Sequence, residues 1–174
     1  AFACFSLNHS MIISHILPLL DSRGVSTNYA VIAASSIGAA QVLGRLVLIT
    51  VERRLSMLFI SMCSFIGLSL ASVNLAFAGT ATIILCLFVC LQGGSAGIGS
   101  IAKPTVTADL LGTTNFGAIS AMVSIAHMLG FAFGPGLSSL IWSVTDYDTL
   151  IKVTGTLALI GVISLFIAQK SSRN

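Results

Sequence analysis

The residues of this chain best suited to chemistry are Gln41 and Arg45, which lie four positions apart at the end of a long uncharged run. That spacing is about one helical turn, so the amide and the guanidinium would project from the same helix face. A guanidinium offers a planar fork of N–H donors that fits a carboxylate. Inside a membrane such a charge is costly and indicates function, unless the long side chain of Arg45 simply extends to the membrane surface.

Three further polar residues in uncharged runs are candidate partners for the same bound group, namely His15, Gln92 and His127. His127 belongs to a predicted helix face with Ser120, Ser124, Phe131 and Gly134. It either bonds to a neighbouring helix or faces a watery cavity, where it would carry a proton or donate to a substrate. The same alternatives hold for His15, whereas His9 is more simply interpreted as a polar residue satisfied between packed helices.

Other charged residues lie between the uncharged runs. Glu52, Arg53 and Arg54 form one short cluster, and Asp109 follows the fourth predicted span. One interpretation is an inner-gate loop in which Asp109 pairs with Arg53 or Arg54. The simpler alternative is a solvated cluster that faces phospholipid headgroups.

The elements that must position these residues are membrane helices. Hydrophobic residues make up 56% of the 174-residue chain and charged residues 7%, compared with roughly 25% charged in soluble proteins. The uncharged runs are long enough for spans of about 20 residues, and the longest must fold back once, near Ala78-Gly79-Thr80. We therefore predict an all-α membrane protein with six spans, near residues 1–19, 27–47, 55–75, 81–101, 116–141 and 149–168.

Several local signals refine these spans. The runs are continuously apolar, which favours helices over the alternation of barrel strands. Gly93 and Gly97 have the spacing that lets helices approach closely. Gly134-Pro135-Gly136 predicts an interruption of the fifth span, and residues 103–115 are predicted to form the longest connection.

Basic residues predict the orientation. With alternating spans, one side receives six of them (Arg45, Arg53, Arg54, Lys103, Lys170 and Arg173), and the other receives Arg23 and Lys152. Cytoplasmic connections are enriched in Lys and Arg, so the first side is predicted to be cytoplasmic, with both ends of the chain. The plasma (cell inner) membrane is the expected location.

Other classes of function lack a motif. The sequence contains no HExxH, no serine elbow and no pair of aspartates within a span, so we expect no enzyme and no cofactor. The four cysteines do not form a metal-ligand pattern, and no metal site is expected. The basic residues punctuate the spans and do not form a stripe, which argues against nucleic acid as a partner.

The order of several motifs resembles the carboxy-terminal six-helix half of a major facilitator superfamily (MFS) transporter over the whole chain. The motifs are His15 to Ser26, Gln41 to Arg45, Glu52-Arg53-Arg54, Lys103-Pro104 through Gly117, and Gly134-Pro135. The resemblance implies that residues 1–174 are one half of a twelve-helix protein whose amino-terminal half is missing. A start at Ala1 within an apolar segment also suggests a fragment.

Within the superfamily the chain is most similar to monocarboxylate transporters and oxalate:formate antiporters. The resemblance implies that Arg45 binds a substrate carboxylate, and we expect Gln41, His127, Gln92 and His15 to complete the site. Proton-coupled relatives carry an aspartate where this chain has Gln41. We therefore expect secondary transport of a small, monocarboxylate-like organic anion by alternating access. The alternatives are transport of a neutral or cationic compound, and a six-helix membrane scaffold or regulatory subunit.

Overall fold

The computed structural model describes residues 1–79 and 81–172, and folds them into six α-helices. Each helix is long and apolar enough to cross a bilayer. The protein is therefore an all-α, multi-pass integral membrane protein, and this prediction is confirmed. The helices are α1 (Phe2–Ser22), α2 (Thr27–Val51), α3 (Met57–Ala76), α4 (Thr82–Leu111), α5 (Phe116–Val144) and α6 (Tyr147–Ser172).

The connections are shorter than the sequence predicts. The predicted turn at Ala78 and Gly79 is confirmed, while Thr80 lies outside the described residues, as do Arg173 and Asn174 of the basic tail. The prediction of a connection over residues 103–115 is wrong, because α4 continues to Leu111 and only residues 112–115 join it to α5.

The three prolines of the chain all lie inside helices without ending them, including Pro18 in α1. Pro104 is within α4 and Pro135 within α5, so the predicted interruption near Pro135 is wrong. A proline removes a single backbone N–H, and nearby hydroxyls help to satisfy the carbonyls of a membrane helix. The Ser138 hydroxyl donates to the Pro135 carbonyl at 2.9 Å, and the Thr107 hydroxyl donates to the Lys103 carbonyl at 2.7 Å. The carbonyls that the missing N–H groups leave free are those of Phe131 and Ser100, four residues before Pro135 and Pro104.

The helices pack with an internal symmetry. Helices α1 and α4 each contact all the others, and α2 and α5 lie at the edges with mostly exposed surfaces. Helix α1 packs on α5, and α4 packs to a similar extent on α2. Helix α1 also contacts α6, and α4 also contacts α3. Helices α3 and α6 pack on each other. Exchanging the first three helices with the last three therefore reproduces the main helix pairs, although α4 contacts α3 more extensively than α1 contacts α6.

Small residues permit the closest helix contacts. A Cβ added to Gly97 of α4 would overlap the backbone carbonyl of Gln41 in α2. On the other side of the bundle, a Cβ on Gly130 or Gly134 of α5 would overlap the hydroxyl of Ser6 or Ser10 in α1. Small residues four positions apart let helices approach, so the predicted packing role of Gly97 is confirmed.

The apolar core forms two clusters separated by a polar layer. One cluster contains Leu19, Leu75 and Phe88, and the other contains Phe5 and Phe65, whose ring centroids are 5.3 Å apart. On α1, α4 and α6, the residues between the two clusters include buried polar side chains, namely Asn8, His9, Gln92 and Thr154. The polar layer therefore separates the two apolar parts of the bundle.

Candidate functional site

The most deeply buried part of the polar layer joins three helices around Asn8. Its side-chain nitrogen donates to the backbone carbonyl of Thr154 in α6 at 2.8 Å and lies 3.5 Å from the hydroxyl of Ser72 in α3. Asn8 and Thr154 are both 0% exposed. A buried amide without partners would be costly, so these bonds are what allow Asn8 to lie among apolar residues.

The polar layer continues through Gln92 to His9. The Gln92 Nε2 atom donates to Asn8 Oδ1 at 3.4 Å and lies 3.2 Å from His9 Nδ1. On the other side of the imidazole, Gln41 Nε2 lies 3.4 Å from His9 Nε2. We call this series from Thr154 through Asn8, Gln92 and His9 to Gln41 the polar chain.

The polar chain exists because Asn8 and His9 are neighbours on the central helix α1. Successive residues of a helix point about 100° apart, and α1 is surrounded by other helices on several sides. Asn8 therefore meets α3 and α6, while His9 meets α2 and α4. Two of the predicted site residues, Gln41 and Gln92, are thus brought together by His9.

Arg45 lies one helical turn from Gln41 on the same face of α2. It is exposed, and no hydrogen bond or ion pair to it is found among the described residues. Its neighbour Gly44 is buried against the backbone of Gly94 in α4, which fixes the rotation of α2. Gln41 therefore ends the polar chain one helical turn from the cation Arg45.

His127 lies on the other edge helix, α5, and is linked to the start of α1. Its Nδ1 atom is 3.1 Å from the backbone oxygen of Phe2, which can only accept, so Nδ1 must carry a hydrogen. Its ring packs edge-on against Phe131 with centroids 5.2 Å apart, and Phe131 lies 6.1 Å from the His9 ring in the same manner. Phe131 thus separates the two histidines.

Lys103 is a second cation within a helix, and sequence reasoning missed it. Its ammonium group donates to the Ser124 hydroxyl of α5 at 3.3 Å. The Lys103-Pro104 pair looks like the end of a helix, because the residue before a proline disfavours helical geometry. No signal in the sequence shows that α4 continues, whereas His9 could have been found as the neighbour of Asn8.

His15 is not part of this group. It lies six residues beyond His9 on α1, a rise of about 9 Å. Its Nε2 atom is 3.0 Å from the Ser139 hydroxyl, and its ring lies near those of Trp142 and Tyr147. His15 therefore belongs to the end of the bundle where α5 connects to α6.

The predicted inner-gate residues are exposed. Glu52, Arg53 and Arg54 follow the end of α2, and Asp109 occupies the last turn of α4. Among the described residues the ion pair found is Arg23 with Asp148, and none joins Asp109 to Arg53 or Arg54. Their role in a gate stays a prediction.

No metal-binding group is evident in the described ranges 1–79 and 81–172, where no three His, Cys, Asp or Glu side chains cluster suitably.

Neither a protein-family model, nor a curated protein, nor a solved structure matches the chain. The fold and composition therefore define it as a six-span membrane protein with a buried polar layer.

Proposed function

We propose that the protein is a secondary transporter of a small organic anion and forms one half of a twelve-helix transporter of the MFS kind. The observation that carries this proposal is the separation of charges along the helices. Arg45 and Lys103 lie six and eight residues inside the nearer ends of α2 and α4. All five acidic residues lie in connections or no more than two residues inside a helix end.

This separation favours an anionic substrate over a cationic one. Cations within a membrane are costly unless something pairs with them. No acidic side chain of this chain lies at the depth of Arg45 or Lys103, so a bound anion would supply the missing charge. The guanidinium of Arg45 suits a carboxylate because two parallel N–H donors match its two oxygens.

The packing symmetry supports a transporter architecture. Three helices form each repeated set, and an odd number of spans makes the second set cross the membrane in the opposite direction. Inverted repeats of three helices occur within each half of MFS transporters, which place substrates near the midplane. A polar layer between two apolar clusters is consistent with such a site, and the exposed surfaces of α2 and α5 leave room for a second six-helix half.

In the proposed mechanism, the two halves rock around a centrally bound anion. Arg45 and Gln41 hold the carboxylate, and His127 and Lys103 contribute positive charge or donors from α5 and α4. Gln92 is 0% exposed, so it acts through His9. His15 lies at the other end of α1, where a passing substrate would meet it after leaving Arg45.

The test is uptake of a radiolabelled monocarboxylate by the full protein in proteoliposomes. Replacing Arg45 by alanine should reduce uptake at least tenfold, and lysine should not restore it because an ammonium cannot form the paired bonds. The matched control is Lys152→Ala, since Lys152 is an exposed cation at similar depth in α6 that lies near Asp146.

Unchanged uptake by the Arg45→Ala protein would overturn the proposed role of Arg45. Competition decides the substrate class: excess carboxylate should suppress uptake, and neutral or cationic compounds should not. Suppression by those compounds instead would favour the alternative of a transporter for neutral or cationic substrates.

A further inference from the structure

Both ring nitrogens of His9 face glutamine amides. Gln92 Nε2 lies 3.2 Å from Nδ1, and Gln41 Nε2 lies 3.4 Å from the ring Nε2. A neutral imidazole has one N–H donor and one acceptor nitrogen. Both glutamines therefore cannot donate to it, and one amide must present its oxygen instead.

The buried end of the polar chain decides which amide that is. The Thr154 carbonyl can only accept, so Asn8 Nδ2 must donate to it at 2.8 Å, which leaves Asn8 Oδ1 as an acceptor. Gln92 Nε2 must then donate to Asn8 Oδ1 at 3.4 Å. Its second hydrogen is available for His9 Nδ1, which makes Nδ1 the acceptor of the ring.

The hydrogen of neutral His9 is consequently on Nε2, where it must meet an acceptor. The two ends of a glutamine amide are nearly equal in size, and pairing determines which end faces a partner. Gln41 therefore directs Oε1 at His9, and its NH2 group takes the outer position. That position has no partner in the described part of the chain and is not fully buried.

We propose that the polar chain fixes His9 as its Nε2–H tautomer, and so turns the NH2 group of Gln41 outward to donate, beside Arg45, to one bound carboxylate. Asn8, Gln92 and His9 are positioning residues in this arrangement. It rests on the proposed function and adds a basis for selectivity: the face that carries Gln41 and Arg45 offers hydrogen-bond donors, which an anion accepts and a cation cannot.

The tautomer can be tested by ¹⁵N NMR of the full protein with labelled histidine, in lipid nanodiscs at neutral pH. We expect His9 to be protonated on Nε2 alone. His127 supplies an internal contrast, because its contact with the Phe2 carbonyl requires a hydrogen on Nδ1. Signals are assigned by their loss in His9→Gln and His127→Gln proteins. A hydrogen on Nδ1 of His9 would overturn the proposal.

Uptake kinetics test the donor role of Gln41. Methionine at position 41 has a similar length, lacks the NH2 group and adds no charge beside His9 or Arg45. We expect Gln41→Met to raise the KM for carboxylate at least tenfold. An unchanged KM would overturn the donor role. If the wild-type protein shows no carboxylate uptake at all, the proposed function fails. The NMR experiment still tests independently whether His9 is protonated on Nε2.

Discussion

At the scale of single residues, the side chain with the most demanding environment is Asn8. It is 0% exposed, and its amide bonds both to the Thr154 carbonyl and to Gln92. Removing it would take one hydrogen bond from each of these two buried partners, although Gln92 would keep its contact with His9.

We expect Asn8→Leu to lower the free energy of unfolding by about 1–2 kcal/mol, since hydrogen bonds between membrane helices contribute modestly. The measurement is thermal unfolding of the purified protein in detergent. The matched control is Asn74→Leu, because Asn74 bonds within its own helix to the Leu70 carbonyl at 2.9 Å. Equal effects of the two replacements would contradict a special role for Asn8.

Sequence reasoning found some residues of the site and missed its centre. Gln41 and Arg45 could be grouped because a helix repeats about every four residues. The interpretation of His9 as a polar residue satisfied between packed helices is confirmed, because His9 is buried and lies within hydrogen-bonding distance of Gln92 and Gln41. Its place at the centre of the polar chain could not be predicted from one helix face, because on a helix packed on several sides adjacent residues can both be buried against different neighbours.

At the scale of helices, the contact between α2 and α4 depends on the absence of a side chain at Gly97. A Cβ there would overlap the Gln41 carbonyl, a backbone atom that cannot move alone. The two helices would have to separate, and the Gln41 amide would shift away from His9.

We expect Gly97→Ala to destabilise the protein by about 1–3 kcal/mol, the usual cost of overpacking. Gly94→Ala is the control, because a Cβ at Gly94 meets nothing within 4 Å; it should be neutral or slightly stabilising, since alanine favours helices. Both proteins can be compared by thermal unfolding in detergent. A Gly97→Ala protein as stable as Gly94→Ala would show that the contact is not tight.

The start of α6 depends on Asp146, which lies outside the spans. Its carboxylate accepts from the Thr149 backbone N–H at 2.7 Å. This bond, with help from the Thr149 side chain, holds the pKa of Asp146 below its ordinary value of 3.8. The folded state therefore binds the proton less readily than the unfolded state.

The stabilisation from this bond should be present above pH 3.8 and be lost as pH falls through the lowered pKa of the folded state. Asp146→Asn keeps a capping side chain without the titration, so the stability difference between wild type and this variant should shrink below about pH 4. Thermal unfolding from pH 3 to pH 7 measures it. A constant difference would exclude the titration of Asp146.

The sequence predicts that the spans are α-helices, but it does not predict where α4 and α5 end. The number of spans follows from comparing the length of each uncharged run with the length of helix needed to cross the bilayer. The prolines at positions 104 and 135 suggested ends, yet α4 and α5 continue through them. In both places a single backbone bond is lost while the rest of the helix keeps its own, and the sequence does not show that balance.

At the scale of the whole molecule, the internal symmetry is a property that no motif in the sequence displays. The symmetry is visible only in the contacts between helices, because the two sets of three helices pack in a similar way but do not repeat the same residues. The nearest sign of this symmetry in the sequence is the small residues at the contacts of the edge helices α2 and α5. Their types differ, because Gly97 of α4 meets α2, whereas Ser6 of α1 meets α5.

The orientation of the whole bundle is a prediction from charge that can be tested directly. Six basic residues are assigned to one side and two to the other, and such a bias marks the cytoplasmic side. Ser26 and Thr113 are exposed residues of connections at opposite ends of the bundle. In a protein whose native cysteines are replaced, a cysteine at either position can be probed with a membrane-impermeant maleimide.

In intact cells the Ser26→Cys protein should be labelled, and the Thr113→Cys protein should be labelled only after the membrane is permeabilised. The same two variants labelled after permeabilisation control for reactivity. The reverse pattern would place Arg45 and Lys103 near the outer surface. It would also mean that the connections carrying Arg53 and Arg54 face outward, against the energetic preference that keeps short basic connections inside.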